Sequence, residues 1–162
     1  MANEALPASA GSEDAPLQVV TFRLYNEVYA LDILFVQEII RMLPVTHVPR
    51  AADWIAGVIN LRGQIIPLIR LASRLGLEVE PASRSTRFMI VRNRDQALGV
   101  VVDEVLEVLR LSARAQEPPP SHLAHRDYIQ AVSKQERGMV IVLDLQKVLY
   151  HPSRNEVLQE AI

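Results

Sequence analysis

The side chains best able to do chemistry are the four histidines, because imidazole both ligates metals and transfers protons near neutral pH. His122 and His125 have a ligand-like spacing, but they follow Pro118-Pro119-Pro120, His47 and His151 are remote in sequence, and no His-Glu-x-x-His occurs. They read as surface loop residues, and no metal site is expected. Gly57 and Gly63 bracket five residues and are followed by Gln64. A phosphate-cradling loop has four residues between its glycines and a Lys after the second. The six glycines form no Gly-x-Gly-x-x-Gly fingerprint, and no Gly-x-Ser-x-Gly elbow presents a serine nucleophile. Asp103 and Glu104 are candidate acid/base carboxylates. Adjacent strand residues point to opposite faces, so the pair reads instead as a solvated acidic edge. Without cysteine there is no thiolate nucleophile, cysteine zinc site or disulfide framework. The expectation is a binding protein that performs no catalysis and carries no cofactor.

A length of 162 residues with 49% hydrophobic content suits one domain, or two small ones packed intimately. The net charge of -2, from 17 basic and 19 acidic side chains, gives no footprint for a polyanion, so nucleic acid is not expected as a partner. Apolar runs such as Gly99 to Val102 are far shorter than the roughly 18 residues of a spanning helix. Glu4, Glu13 and Asp14 mark a polar start with no basic-then-apolar signal, so the expected address is the cytoplasm, without direct membrane insertion.

Whatever binds must be positioned by β-structure. Residues 1–16, rich in Ala, Ser, Pro and acidic groups, have too little apolar material to offset ordering and are expected to be a disordered leader. Val19 to Leu24 is a β-branched run ending at the turn-prone Asn26-Glu27, with Val28 to Asp32 as its hairpin partner. Ala30 to Ile40 fits both a helical and a strand period, and is expected to be a strand passing into a short helical turn. Val58 to Ile69 reads as two strands turning near Arg62-Gly63, with Pro67 at an edge or bulge because it lacks a backbone donor. Further strands are expected at Arg87 to Val91, Gly99 to Val102 and Met139 to Leu145. Ser153 and Glu156 offer a capping box for a helix or tail over 151–162.

The two halves repeat this order. Ala30 to Ile39 lies over Gly99 to Val108 without gaps, matching Val36 with Val105 and Glu38 with Glu107. Trp54-Ile55, Arg62-Gly63, Leu71 and Leu75 correspond to Tyr128-Ile129, Arg137-Gly138, Leu145 and Leu149 if one residue is inserted before the Arg-Gly turn and one removed after it. Such a repeat suits two similar small barrels packed together, the first half about 17–80 and the second about 84–150.

The stretch Trp54-Ile55-Ala56-Gly57-Val58-Ile59-Asn60-Leu61-Arg62-Gly63-Gln64-Ile65-Ile66-Pro67 resembles the signature of the CheW family of chemotaxis coupling proteins. Tyr29 to Ile39, Gly99 to Val105 and Leu143-Asp144-Leu145 accompany it in the family's order, over about residues 17–150. The resemblance implies a mainly β fold of two SH3-like five-stranded β-barrels around a hydrophobic junction, with short helices. It implies a non-enzymatic scaffold in bacterial chemotaxis signal transduction, recruited from the cytoplasm to membrane-associated receptor arrays. Its implied partners are the regulatory domain of the histidine kinase CheA and the cytoplasmic hairpin tip of methyl-accepting receptors. Carried over by position, Ile33, Val36, Glu38, Ile39, Val102 and Val108 form a receptor-facing groove. Gly57, Asn60, Arg62 and Gly63 form the signature turn, with Arg62 clamping Glu38. Where the family reads Asp-Leu-Arg, this chain has Arg70-Leu71-Ala72. Placed on the kinase-facing side, Arg70 requires a compensating acidic group on its partner. The alternatives are a similar adaptor of a parallel pathway, such as twitching motility or surface sensing, and a small-molecule enzyme using the inter-barrel groove.

Overall fold

The computed structural model describes residues 16–123 and 125–150. The expected terminal helix, and the leader up to residue 15, lie outside the described residues. The first repeat supplies β1 (Leu17–Leu24), β2 (Glu27–Asp32), β3 (Val36–Arg41), β4 (Ile55–Leu61), β5 (Gln64–Arg70) and helix α1 (Leu71–Arg74). The second supplies β6 (Arg87–Asn93), β7 (Gln96–Val102), β8 (Glu104–Leu111), β9 (Ile129–Gln135), β10 (Gly138–Leu143) and α2 (Leu145–Leu149). The last apolar run therefore ends its strand at Leu143, and Leu145 opens a helix. The ambiguous segment resolves into strand, 3-10 turn and strand. Asp32 Oδ1 accepts from Leu34 N at 2.9 Å, capping the Ile33–Phe35 turn before β3 resumes.

The strands form two five-stranded sheets ordered β8-β1-β2-β10-β9 and β3-β6-β7-β5-β4. Each sheet takes strands from both repeats, so the two halves of the chain are interwoven. In the first sheet β2 pairs in parallel with β10, and in the second β5 pairs in parallel with β7. Replacing each strand by its counterpart in the other repeat converts one sheet order into the other. The equivalence also needs no gap, since Ile55, Leu61, Gln64 and Arg70 occupy the positions of Ile129, Gln135, Gly138 and Asp144.

The expectation for Pro67 also changes. It lies in β5, an interior strand, opposite Val58. Val58 directs its N–H and C=O to Thr46, at 2.9 and 2.8 Å, so the pair with Pro67 needs no ladder bond. Pairing of β5 with β7 begins only at Leu68, so the missing donor is not required on that side either.

Runs such as Val19 to Phe22 and Phe88 to Val91 are buried at every residue, apolar but for Thr21, because both faces of their strands are covered. Val20, Phe22, Met89 and Val91 enter a central cluster between the sheets. Val19 joins the inner cluster of the first sheet, and Phe88 and Ile90 that of the second. Arg74 crosses this centre. Its guanidinium lies 4.9 Å from the Trp54 ring and 5.1 Å from the Tyr128 ring, which are equivalent positions of the two repeats. It donates to Val148 O at 2.8 Å and Tyr128 Oη at 3.1 Å, joining α1 to α2.

The two short helices differ at their entry. Asp144 accepts from Lys147 N at 3.1 Å, whereas Arg70, at the equivalent position, makes no side-chain cap. Arg70→Asp should therefore raise unfolding free energy by about 1 kcal/mol by capping α1 at Ser73 N, offset in part by losing the 3.1 Å bond from Arg70 to Asp53 O. A denaturant titration with an unchanged or lower midpoint would refute this.

Candidate functional site

The signature turn is built by backbone requirements. Arg62 and Gly63 both have positive φ, 53° and 84°, which gives a two-residue hairpin the twist its strands need. Asn60 Oδ1 accepts from Gly63 N at 2.8 Å and fixes the turn. Gly57 has φ 145°, and a Cβ there would meet Thr46 O at 2.3 Å. This glycine is thus needed for the contact that carries residues 45 and 46 across β4.

The turn presents Arg62 to Glu38. Nη1 donates to Oε2 at 2.8 Å and Nη2 to Oε1 at 2.7 Å, a parallel two-bond fork. Glu38 lies on β3 and Arg62 on the hairpin of β4, so the fork links the two edge strands of one sheet. The Thr46–Val58 bridge links the same region through the backbone. The Arg62 guanidinium bonded to it holds the Glu38 carboxyl below the usual carboxylate range.

Along β3 the register shifts between Val36 and Glu38. Val36 then pairs with Val91 and Ile39 with Met89, both of the central cluster, while Glu38 pairs with Ile90 of the inner cluster. Val36 and Ile39 therefore share one face, and Glu38 lies on the other. The same device recurs in β8, where a shift opposite Val20 and Phe22 lets Val105 and Val108 pair toward the central cluster. Ile33, Val36 and Val105 pack on that cluster while remaining partly open, and Ile39 and Val108 are 40% and 50% exposed. Each of the two equivalent strands thus carries an apolar margin, with an ion-pair fork behind that of β3. Among the described residues no cluster of His, Asp or Glu is arranged to hold a metal.

A family model described as CheW-like domain matches residues 18–153. The chain belongs to the CheW family. It is 33% identical to the chemotaxis protein CheW of Helicobacter pylori over 88% of this chain and 89% of that protein. It is equally 33% identical to the CheW of Treponema pallidum, covering 83% of each chain. The crystal structure of the scaffolding protein TtCheW from Thermoanaerobacter tengcongensis superposes with a TM-score of 0.77 at 34% identity, covering 83% of this chain and 88% of that one. The two five-stranded sheets with short helices are the CheW architecture, and CheW proteins are chemotaxis scaffolds that perform no catalysis.

Two readings of individual residues need correction. Val102 is fully buried in the central cluster and cannot offer its side chain to a CheW partner. Val105, equivalent to Val36, is the second-repeat residue that borders the margin, as the gapless match between the repeats already indicated. Asp103 and Glu104 do converge, because Asp103 sits between β7 and β8 rather than within a strand. Their oxygens lie 3.8 and 3.5 Å from Arg23, which also binds Glu80 at 2.5 Å. Asp103 also accepts from Tyr25 N at 2.6 Å, and burial pushes its carboxyl above the usual range. This network ties the segment before β6 to β1. Arg70 lines a different groove of about 440 Å³, with Met42, Val45, His47 and Val79. His125 stacks on Tyr128, with ring centroids 6.1 Å apart.

Gly57→Ala should cost at least about 2 kcal/mol, since it combines an unfavourable φ with a backbone clash. A melting temperature equal to the parent's would contradict that account. Arg62→Ala should move Glu38 in the opposite direction to its present shift, so that its carboxyl titrates at higher pH by NMR. Because the parent Glu38 pKa is depressed, the fork's contribution is present above the ordinary carboxylate range and disappears as pH falls through the folded value. An unchanged Glu38 titration in Arg62→Ala would show that the fork does not hold the charge.

Proposed function

We propose that this CheW chain couples methyl-accepting chemoreceptors to the regulatory domain of the histidine kinase CheA. The observation that carries the reading is the pair of equivalent apolar margins, Val36 with Ile39 and Val105 with Val108, over one central cluster. Such a surface suits the apolar side chains of a helical hairpin tip, which would remove the exposed parts of Ile39 and Val108 from water. The Glu38–Arg62 fork holds β3 in place from the opposite face and so acts as a positioning clamp. The kinase is assigned to the separate groove that contains Arg70, which shares no lining residue with the margins. Arg70 calls for a carboxylate on that partner.

This arrangement suits a coupler, which must contact both partners at once. None of the helices among the described residues is long and apolar enough to cross a membrane, so receptor binding itself would bring the chain to membrane-associated arrays.

Ile39→Asp and Val108→Asp each place a charge where an apolar contact is proposed, and both positions are exposed enough to tolerate it in the free protein. Either change should weaken binding to a receptor signalling fragment by about tenfold or more, equivalent to about 1.4 kcal/mol. Binding to the CheA regulatory domain should persist, and melting curves should match the parent's. Loss of both interactions in a folded variant would overturn the assignment, as would full retention of receptor binding.

A further inference from the structure

Three arginines line one pocket away from the apolar margins. Arg41, Arg84 and Arg87 line a cavity of about 370 Å³ together with Met42, Ser83 and Thr86. Arg41 and Arg87 are direct cross-strand partners at the end of the β3–β6 ladder. Like charges directly opposite one another on a sheet repel, and Arg84 adds a third charge to the same space. None of the ion pairs among the described residues relieves this, since they involve Arg23 and Arg62. Arg87 is held in place by donating from Nη1 to Arg84 O and Thr86 O, at 2.8 and 2.9 Å. Arg41 and Arg84 are exposed and make no side-chain bond.

The hydroxyls fit the same chemistry. Thr86 Oγ1 accepts from Ser83 N at 2.9 Å, and Ser83 Oγ accepts from Ser85 N at 3.1 Å. Each oxygen is used as an acceptor, which leaves its O–H to donate. The pocket therefore offers charged and neutral donors without a facing carboxylate, in a chain whose net charge is negative. Three cations exceed what one carboxylate would balance, and planar guanidinium forks match the oxygens of a phosphoryl group.

We propose that this pocket is an oxyanion site for a phosphoryl group, held by Arg41, Arg84 and Arg87 with Thr86 and Ser83 as hydroxyl donors. The site lies outside the margins assigned to the receptor and adjoins the Arg70 groove, sharing Met42 and Thr86 with it but not Arg70. A bound dianion would neutralise the Arg41–Arg87 repulsion, so occupancy and sheet-end stability rise together.

The test uses the full chain at constant ionic strength, with inorganic phosphate and a phosphoserine-containing peptide as probes and the unphosphorylated peptide and acetate as controls. Amide shifts in two-dimensional NMR should concentrate at Arg41, Met42 and Ser83 to Arg87 with both phosphorylated probes, and not with the controls. The Arg41→Ala/Arg84→Ala double variant removes two exposed side chains without internal bonds and relieves the Arg41–Arg87 repulsion, so in phosphate-free buffer it should melt at or slightly above the parent's temperature. It should bind each probe about tenfold or more weakly, the scale of one lost charge-assisted bond. Equal affinity for phosphate and phosphopeptide would identify the phosphoryl group alone as the ligand, and much tighter peptide binding would identify a phosphorylated side chain. The proposal is overturned if neither probe shifts these amides, if acetate shifts them equally, or if the double variant binds as tightly as the parent.

Discussion

The parallel pairings of β2 with β10 and of β5 with β7 carry the rest of the structure, because each joins strands from different repeats. Without them the hairpin of β1 and β2 would have no inner neighbour, and neither sheet would reach five strands. They also fix the geometry of the centre. Once both sheets contain material from both repeats, the inward faces of β1 and β6 meet over one cluster. Trp54 and Tyr128 then come close enough for a single guanidinium to lie against both. Such a cation is tolerated because its donors reach Val148 O and Tyr128 Oη, so the charge is not left unsolvated.

The candidate site follows from small departures from regularity. A perfect strand would place Val36, Glu38 and Ile40 on one face. The shift between Val36 and Glu38 turns the carboxylate toward Arg62 while leaving Val36 and Ile39 together. The matching shift in β8 produces the second margin. Only one copy carries the Glu38–Arg62 fork, however. Glu107 has the place of Glu38 in the match between repeats, yet Glu136 stands where Arg62 does in the other hairpin, and two carboxylates repel. The space between β8 and that hairpin is an open groove of about 680 Å³.

Much of this was legible in the residues. The β-branched runs, the Arg62-Gly63 turn and the repeated order of elements all correspond to what the chain forms, because they depend on local sterics and on alternation. The exchange of strands was not legible, since Val28 can pair with any apolar strand edge and only the closed structure selects Val140. Val102 looked like a surface position because its neighbours in the resemblance are on a margin, but both faces of β7 are covered. The convergence of Asp103 and Glu104 was hidden for another reason: strand alternation does not apply across the break between β7 and β8. A net charge of -2 likewise conceals three arginines gathered at one sheet end.

The exchanged topology also constrains how the protein can be made. A chain leaves the ribosome N-terminus first, so β1 and β2 emerge long before β8 and β10, their partners. Consecutive barrels would allow the first to close while the second was still being synthesised. Here the second sheet has all its strands once β7 is outside the exit tunnel, whereas the first cannot close until β10 has emerged, and β1 and β2 carry an unpaired apolar edge until then. The first sheet therefore closes last, and the hairpin of β1 and β2 depends on chaperone shelter, or on a slow search, until β10 arrives.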